Sequence, residues 1–209
     1  PDPGGRQLDG LGGGVSSLSK VAVVAPSRHP GHDVDYTFGQ VEVSRAAVDY
    51  RGNCGNISSA IGPYAVDEGL APAPAEGDAT VRIFNTNTGK TIVSRFPVRG
   101  GEAAVEGDFE LAGVPGTGAR ITLEFLDPGG AVTGSLLPTG RARDRLEGVE
   151  ASLVDATNPM VFVRASDLGL GSLGAPEAID ADPELLTRLE RIRAAGSEAM
   201  GLAELSSAS

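Results

Sequence analysis

Apolar residues along most of the chain either alternate with polar ones or form short runs bounded by turn residues, and both patterns indicate β-strands. Strands are predicted at residues 20–25, 34–43, 79–85, 91–98, 103–110, 119–126, 132–137, 149–155 and 160–164. We expect alternate apolar side chains to face a core, in three strands through the pairs Val21 and Val23, Val81 and Ile83, and Ile121 and Leu123. Glycine, asparagine, aspartate and proline between several of the strands are typical of hairpin turns.

Two segments have the residue spacing of a helix instead. The first begins at or beside Cys54 and runs to about residue 69, with Asn53 as its predicted N-cap and its apolar residues on one face. The second runs from Pro183 to about residue 200, with Asp182 as its N-cap. The sequence therefore predicts an α+β protein in which short strands surround the first helix.

Cys54 is the only cysteine among the 209 residues. The unpaired N–H groups and the positive dipole end of a helix N-terminus favour a thiolate, so we expect the pKa of Cys54 to lie below that of a free thiol, about 8.5. The same N–H groups would hold a substrate carboxylate, and Gly55 would let that group approach the backbone closely. The local pattern leaves open the alternative that Cys54 is a small buried side chain without a chemical role.

The composition narrows the classes of function. A net charge of −11 argues against nucleic-acid binding, and no apolar run approaches the length that spans a membrane. A single cysteine cannot form an internal disulfide, which fits a reducing, cytoplasmic setting. Only two of the 17 basic residues are lysines, Lys20 and Lys90, and lysine can shift its pKa to act as an acid or base whereas arginine cannot.

Several short motifs, in order along the chain, resemble those of one enzyme family. They are Ser19-Lys20-Val21, Val34-Asp35-Tyr36, Asn53-Cys54-Gly55-Asn56, Asn85-Thr86-Asn87-Thr88-Gly89-Lys90 and Asn158-Pro159-Met160. Together they resemble the PrpF-type isomerases, which include 2-methylaconitate isomerase, 3-methylitaconate isomerase and 4-oxalomesaconate tautomerase.

The resemblance implies a fold and a domain organisation. It implies the diaminopimelate-epimerase-like fold, in which each of two domains wraps a mixed, mostly antiparallel sheet around a central helix and the active site lies between the domains. Mapped onto this sequence, residues 1–147 are the first domain without its N-terminal strand, and residues 148–209 begin the second domain. We therefore expect an internal fragment of the enzyme that is inactive by itself.

The resemblance also implies which residues form the site. Cys54 and Lys20 would be the catalytic acid and base at one cavity, although the spacing alone does not bring them together. The residues expected to contact the carboxylate groups of the substrate are Ser17, Ser19, Gly55 and Asn56. Asn158 would contact it by analogy with the Asn-Pro-His motif of the epimerases, although Met160 stands where that motif has histidine.

These features predict an enzyme that shifts a double bond in a small unsaturated di- or tricarboxylate by removing and returning a proton, without a metal or other cofactor. Methylaconitate-type or methylitaconate-type isomerisation and oxalomesaconate tautomerisation stay equally open. Two alternatives also stay open: an epimerase or racemase of the same fold, and a non-catalytic carboxylate-binding protein that acts with an aconitase-like dehydratase. We expect no nucleic-acid or membrane partner, and we consider a homodimer and a functional link to an aconitase-like dehydratase.

Overall fold

The computed structural model describes residues 18–43, 45–171 and 176–202. The chain divides into two compact units, with the boundary between Asp127 and Pro128. The boundary expected from the sequence, after residue 147, lies about 20 residues later. Its interpretation as the border between two epimerase-like domains stays a prediction.

The first unit contains a seven-stranded sheet and one helix. Its elements are β1 (Lys20–Pro26), β2 (Val34–Val41), β3 (Val48–Asp49), α1 (Gly55–Asp67), β4 (Glu76–Asn85), β5 (Lys90–Arg99), β6 (Glu102–Ala103) and β7 (Thr122–Phe125). The strand order is β1-β2-β4-β5-β6, with β3 paired to β2 and β7 paired to β5. Only the β2–β4 pair is parallel among the described strands of this unit. The predicted α+β class, with a mostly antiparallel sheet against a central helix, is confirmed.

Helix α1 packs on the sheet through Ile61, Ala65 and Val66, which join the core formed by inward side chains of β2, β4 and β5. A fully buried aliphatic side chain stabilises a fold by roughly 1.5–3 kcal/mol. Gly62 permits the close approach of helix and sheet, because a Cβ atom here would lie 2.5 Å from the Ser94 Oγ. These contacts hold α1 in one position relative to the strands.

The inward face of β1 differs from the prediction by one residue. Ala22 and Val24 pack against the core, whereas Val23 is 58% exposed. Because side chains alternate along a strand, Lys20 shares the face of Ala22 and Val24 and turns toward α1. The predicted inward pair of Val21 and Val23 is therefore wrong. With that pair facing the core, Lys20 would have turned away from the helix that carries Cys54.

The second unit contains a three-stranded antiparallel sheet and two helices. Its elements are β8 (Asp144–Leu146), β9 (Val149–Ala156), β10 (Asn158–Val163), a 3₁₀ helix (Ala165–Leu168), α2 (Pro176–Asp180) and α3 (Pro183–Ala199). Ile192 of α3 belongs to the same buried cluster as Leu153 of β9. No helix among the described residues is both long and apolar enough to cross a membrane.

One predicted strand of the second unit is absent from the structure, and one helix is present that the sequence did not predict. Residues 132–137 form turns rather than a strand, because the N–H groups of Val132 and Thr133 donate to the Asp155 carboxylate, at 2.8 and 2.6 Å. These two hydrogen bonds attach the segment after Pro128 to β9, so this segment belongs to the second unit. Residues 176–180, where the sequence analysis places neither a strand nor a helix, form α2.

The other predicted strands of the first unit agree with the structure in part. Val81 and Ile83 are fully buried, as predicted. Leu123 packs against the core, but Ile121 lies before β7 and is 36% exposed. The strand predicted at 103–110 is limited to β6 and one isolated bridge between Phe109 and Gly118.

Candidate active site

Cys54 is itself the N-cap of α1, with the extended backbone that this position requires (φ −125°, ψ 109°). The prediction of Asn53 as N-cap is wrong by one residue. Its side-chain oxygen does not cap the helix but accepts a hydrogen bond from Asn85 Nδ2 at 3.1 Å and lies 3.2 Å from the Ser58 hydroxyl. The sulfur therefore occupies the position where a capping oxygen is usually found.

A layer of buried polar side chains fixes the start of α1. Ser58 is fully buried, and its hydroxyl donates to the Cys54 carbonyl oxygen at 2.8 Å. Asn85, also fully buried, donates to Asn53 while its own oxygen accepts from the N–H groups of Asn87 and Thr88 at 3.0 Å each. The tight β4–β5 hairpin, which the sequence predicted, thus holds Asn85 against the segment that precedes Cys54.

Lys20 reaches Cys54 from the first residue of β1. The backbone before it is fixed because the Ser19 carbonyl oxygen accepts from the Val41 N–H and from Gln40 Nε2, both at 2.9 Å. From this position the Lys20 ammonium acts on the Cys54 sulfur and lowers the pKa of the thiol. The tertiary fold therefore brings together two side chains that lie 34 positions apart in the sequence.

Several groups act on the ionisation of the Cys54 thiol. Burial disfavours the thiolate, but the N–H group of Ile57, the Lys20 ammonium and the N–H group of Asn56 outweigh it, so the pKa of Cys54 lies below its ordinary value. This direction confirms the expectation from the helix N-terminus. A thiolate beside an ammonium is an arrangement that can both accept and donate a proton.

The remaining predicted site residues lie in different surroundings. Gly55 and Asn56 are the first two residues of α1 and are exposed. A Cβ atom built on Gly55 would meet no atom within 4 Å, so the space beside it is open. Ser19 is fully buried, and Ser17 lies outside the described residues. Asn158 begins β10 of the second unit, opposite Ala156.

Sequence reasoning missed the contributions of Ser58, Asn85 and Tyr36. Ser58 carries no signal of its own, Asn85 falls at the end of a predicted strand, and Tyr36 alternates with Val34 and Phe38 as a core residue does. The Tyr36 side chain is indeed fully buried, but its hydroxyl lies close enough to Ser58 and Cys54 for both to affect its pKa. Among the described residues, no cluster of three His, Cys, Asp or Glu side chains could hold a metal ion.

Comparison with known proteins gives a family match over all of this chain. The profile of the PrpF protein family matches residues 1–209. A 3-methylitaconate isomerase from Eubacterium barkeri is 45% identical over 205 residues, which cover 96% of this chain and 54% of that protein. A 4-oxalomesaconate tautomerase from Pseudomonas putida is 44% identical over 204 residues, which cover 98% of this chain and 56% of that protein.

A solved structure matches the fold as well. The crystal structure of a methylitaconate-delta-isomerase superposes with a TM-score of 0.80 at 44% identity, and the match covers 99% of this chain and 55% of that one. The chain thus spans about half the length of the relatives that it matches.

Proposed function

The chain belongs to the PrpF family, and from this premise we propose that the protein that carries it is an isomerase or tautomerase of small unsaturated tricarboxylates. The proposed reaction moves a carbon–carbon double bond, or interconverts keto and enol forms, by removing a proton from one atom and returning one elsewhere. It uses the protein's own acid and base and no cofactor. Methylaconitate, methylitaconate and oxalomesaconate are the candidate substrates.

The observation that carries this proposal is that β1, which begins with Lys20, packs against α1 and the Lys20 ammonium lowers the pKa of the Cys54 thiol at the start of that helix. In the proposed cycle, the Cys54 thiolate removes the proton from a carbon adjacent to a carboxylate. The Lys20 ammonium donates a proton at the other end of the delocalised system, and a proton then passes from the thiol to the amine to restore the starting pair. Total charge and proton number are unchanged, as an isomerisation requires.

The start of α1 also suits the charge that develops on the substrate. Removing a proton beside a carboxylate creates a further negative charge, and preorganised N–H donors stabilise such charge without rearranging. The first turn of α1 contains no acidic residue, and the open space at Gly55 lets a carboxylate approach the backbone. We propose Gly55 and Asn56 as the substrate-binding residues of this unit, with Ser17, Ser19 and Asn158 as further candidates from the family resemblance.

The test is turnover by the protein that carries this chain, with methylaconitate, methylitaconate and oxalomesaconate assayed in parallel. Loss of one acid–base group lowers turnover by about 10²–10⁴-fold, so Cys54→Ser and Lys20→Ala should each reach this range. Lys20→Arg is the matched control for charge, because arginine keeps the positive charge but cannot release its proton at neutral pH. Full activity of Lys20→Arg would remove proton transfer by Lys20 from the mechanism, and full activity of Cys54→Ser would remove Cys54.

No feature of the described residues favours the epimerase, racemase or carboxylate-binding alternatives, and we do not propose them. The homodimer, the link to an aconitase-like dehydratase and the cytoplasmic location stay predictions from the sequence. Size-exclusion chromatography with light scattering would test the homodimer directly.

A further inference from the structure

The side chain of Asn87, in the turn between β4 and β5, takes the place of a strand residue beside β2. The backbone of β4 pairs in parallel with β2 as far as Asn85, which lies opposite Tyr36. Two residues further along β2, the Phe38 N–H donates to Asn87 Oδ1 and Asn87 Nδ2 donates to the Phe38 carbonyl oxygen, both at 2.8 Å. The side-chain amide thus continues the hydrogen bonding of β2 after the backbone of β4 has turned away.

The same amide also bonds to the segment that leads to Cys54. Asn87 Nδ2 donates to the Tyr50 carbonyl oxygen at 2.7 Å. Tyr50 directly follows β3, which pairs with the end of β2, and it lies four positions before Cys54. An asparagine amide has two N–H groups and one acceptor oxygen, and Asn87 uses all three to join β2 to this segment.

Strand β2 is also the strand on which Lys20 is held. Strands β1 and β2 are antiparallel, and Lys20 of β1 lies opposite Gln40, two positions after Phe38. One side chain, that of Asn87, therefore joins the strand pair that carries Lys20 to the segment that precedes Cys54. Because the Lys20 ammonium lowers the pKa of the Cys54 thiol, the relative position of the two groups can be measured through the ionisation of the thiol.

We propose that Asn87 is a positioning residue for the isomerisation proposed above, on which its role depends, and that its amide fixes the segment before Cys54 relative to the strand that carries Lys20. The side chain bonds to backbone groups of Phe38 and Tyr50, so it acts on the acid–base pair through the backbone. Tyr50 is 54% exposed, and water can replace its bond to the amide. Without Asn87 the segment can therefore move away from β2, and the sulfur moves with it.

The effect of Asn87 can be separated from the other influences on the thiol. The N–H groups of Asn56 and Ile57, which favour the thiolate, belong to α1 itself. The charged side chains of the preceding segment, Asp49 and Arg51, pair with each other at 3.0 Å. Asparagine and alanine are both uncharged, so Asn87→Ala changes no charge in the protein. A change in the ionisation of the thiol then reports a change in position.

The experiment measures how the rate of Cys54 alkylation by iodoacetamide depends on pH in the protein that carries this chain, with the Cys54 peptide followed by mass spectrometry. Wild type, Asn87→Ala, Lys20→Ala and the double variant form a double-mutant cycle. We expect Asn87→Ala to raise the half-point by about one pH unit when Lys20 is present, and by less than about 0.3 pH unit in the Lys20→Ala background. An unchanged or lowered half-point overturns the proposal, and so does an equal rise in both backgrounds.

Thr86→Val is the matched control. Thr86 lies in the same turn, and its hydroxyl contacts Thr37 Oγ1 at 2.6 Å and the Tyr36 carbonyl oxygen at 3.3 Å. Both contacts are with β2 and neither is with the segment before Cys54, so the half-point should stay unchanged. A rise equal to that of Asn87→Ala would mean that any loosening of the turn from β2 is sufficient, and it would overturn the specific role of Asn87.

A second variant covers the case in which Asn87→Ala does not fold. In Asn87→Asp the carboxylate keeps an acceptor for the Phe38 N–H but cannot donate to the two carbonyl oxygens. Its negative charge raises the half-point whether or not Lys20 is present, so the difference between the two backgrounds decides. A larger rise with Lys20 than without it supports the proposal, and equal rises overturn it.

Turnover provides a readout that depends on the proposed function. Asn87 acts on the position of the sulfur rather than on the substrate, so Asn87→Ala should lower kcat by about 10–10²-fold and change KM by less than about twofold. A retained kcat overturns the role of Asn87 in the reaction. Alkylation needs no turnover, so if Cys54→Ser keeps full activity and the proposed function fails, the alkylation cycle alone decides whether Asn87 positions the sulfur.

Discussion

The two long helices of this chain begin in opposite ways. Helix α3 begins with Asp182, whose side chain accepts a hydrogen bond from the Leu185 N–H at 2.9 Å, and an acidic residue, Glu184, lies in its first turn. Helix α1 begins with Cys54, has no acidic residue in its first turn, and has Lys20 against its N-cap sulfur. At α3, therefore, the protein's own carboxylates interact with the free N–H groups and the dipole of the helix.

This difference shows that the N-terminus of a helix can either be capped, which adds stability, or be left open for chemistry. At α3 the Asp182 cap and the Glu184 carboxylate disfavour the binding of an external anion. At α1 the sulfur takes the capping position, no carboxylate competes, and the space beside Gly55 is open. We therefore propose that a substrate carboxylate binds in the open space beside Gly55, next to the Cys54 sulfur.

The largest expected effect comes from giving α1 the cap of α3, through Cys54→Asp. An aspartate is a good cap but its carboxylate, with an ordinary pKa near 3.9, is too weak a base at neutral pH. We expect turnover to fall by about 10²–10⁴-fold, while the free energy of unfolding stays equal or rises by up to about 1 kcal/mol. Steady-state kinetics and urea unfolding followed by circular dichroism measure the two quantities. Retained turnover would contradict the role of the sulfur.

Gly62→Ala tests whether close packing holds α1 in place. The added Cβ would lie 2.5 Å from Ser94 Oγ and 2.8 Å from Phe96 Cε1, so the helix must move away from the sheet. We expect the free energy of unfolding to fall by about 1–3 kcal/mol, measured by urea unfolding. Stability equal to that of the wild type would mean that the helix and sheet tolerate a wider spacing than the structure shows.

Asp182→Ala should remove the cap of α3 and lower the free energy of unfolding by about 1 kcal/mol. Asp180→Ala is the matched control, since Asp180 is exposed at the end of α2 and should change stability by less than about 0.5 kcal/mol. Hydrogen exchange of the first turn of α3 would locate the effect. Equal losses in the two variants would show that the charge rather than the cap matters.

Gly55→Ala should have the opposite sign to Gly62→Ala, although both residues lie in α1. No atom lies within 4 Å of the added Cβ, and alanine favours a helix over glycine by about 0.5–1 kcal/mol. We therefore expect a slightly higher free energy of unfolding together with a raised KM, because the methyl group occupies the space proposed for the substrate carboxylate. An unchanged KM would remove Gly55 from the binding site.

The smallest expected effect is a pH dependence of stability through Cys54. Its pKa is lowered in the folded chain, so the folded protein binds fewer protons than the unfolded chain between the two pKa values, and stability rises with pH there. The contribution is fully present above the pKa of the unfolded thiol, about 8.5, and is lost as the pH falls through the folded value. The stability difference between wild type and Cys54→Ser should therefore grow with pH up to about 8.5. A difference that stays flat would contradict the lowered pKa.

Local features of the sequence determined much of this protein. The helical spacing after Cys54, the Asn-Thr-Gly turn before Lys90 and the Asp182-Pro183 start of α3 were all read correctly. Each depends on residues within a few positions of one another, because helix period, turn conformation and capping are set by neighbouring backbone groups. The family resemblance added the expectation that Cys54 and Lys20 meet.

Only the tertiary structure decided which side chains face the site. A short apolar run such as residues 21–25 fits either face of a sheet, and the pairing with β2 settled that Lys20 turns inward. Asn53 could have capped α1 by its local position, but Asn85, 32 positions away, takes its oxygen instead. The physical reason is the same in each case: strand pairing and helix packing join residues whose separation along the chain contains no local signal.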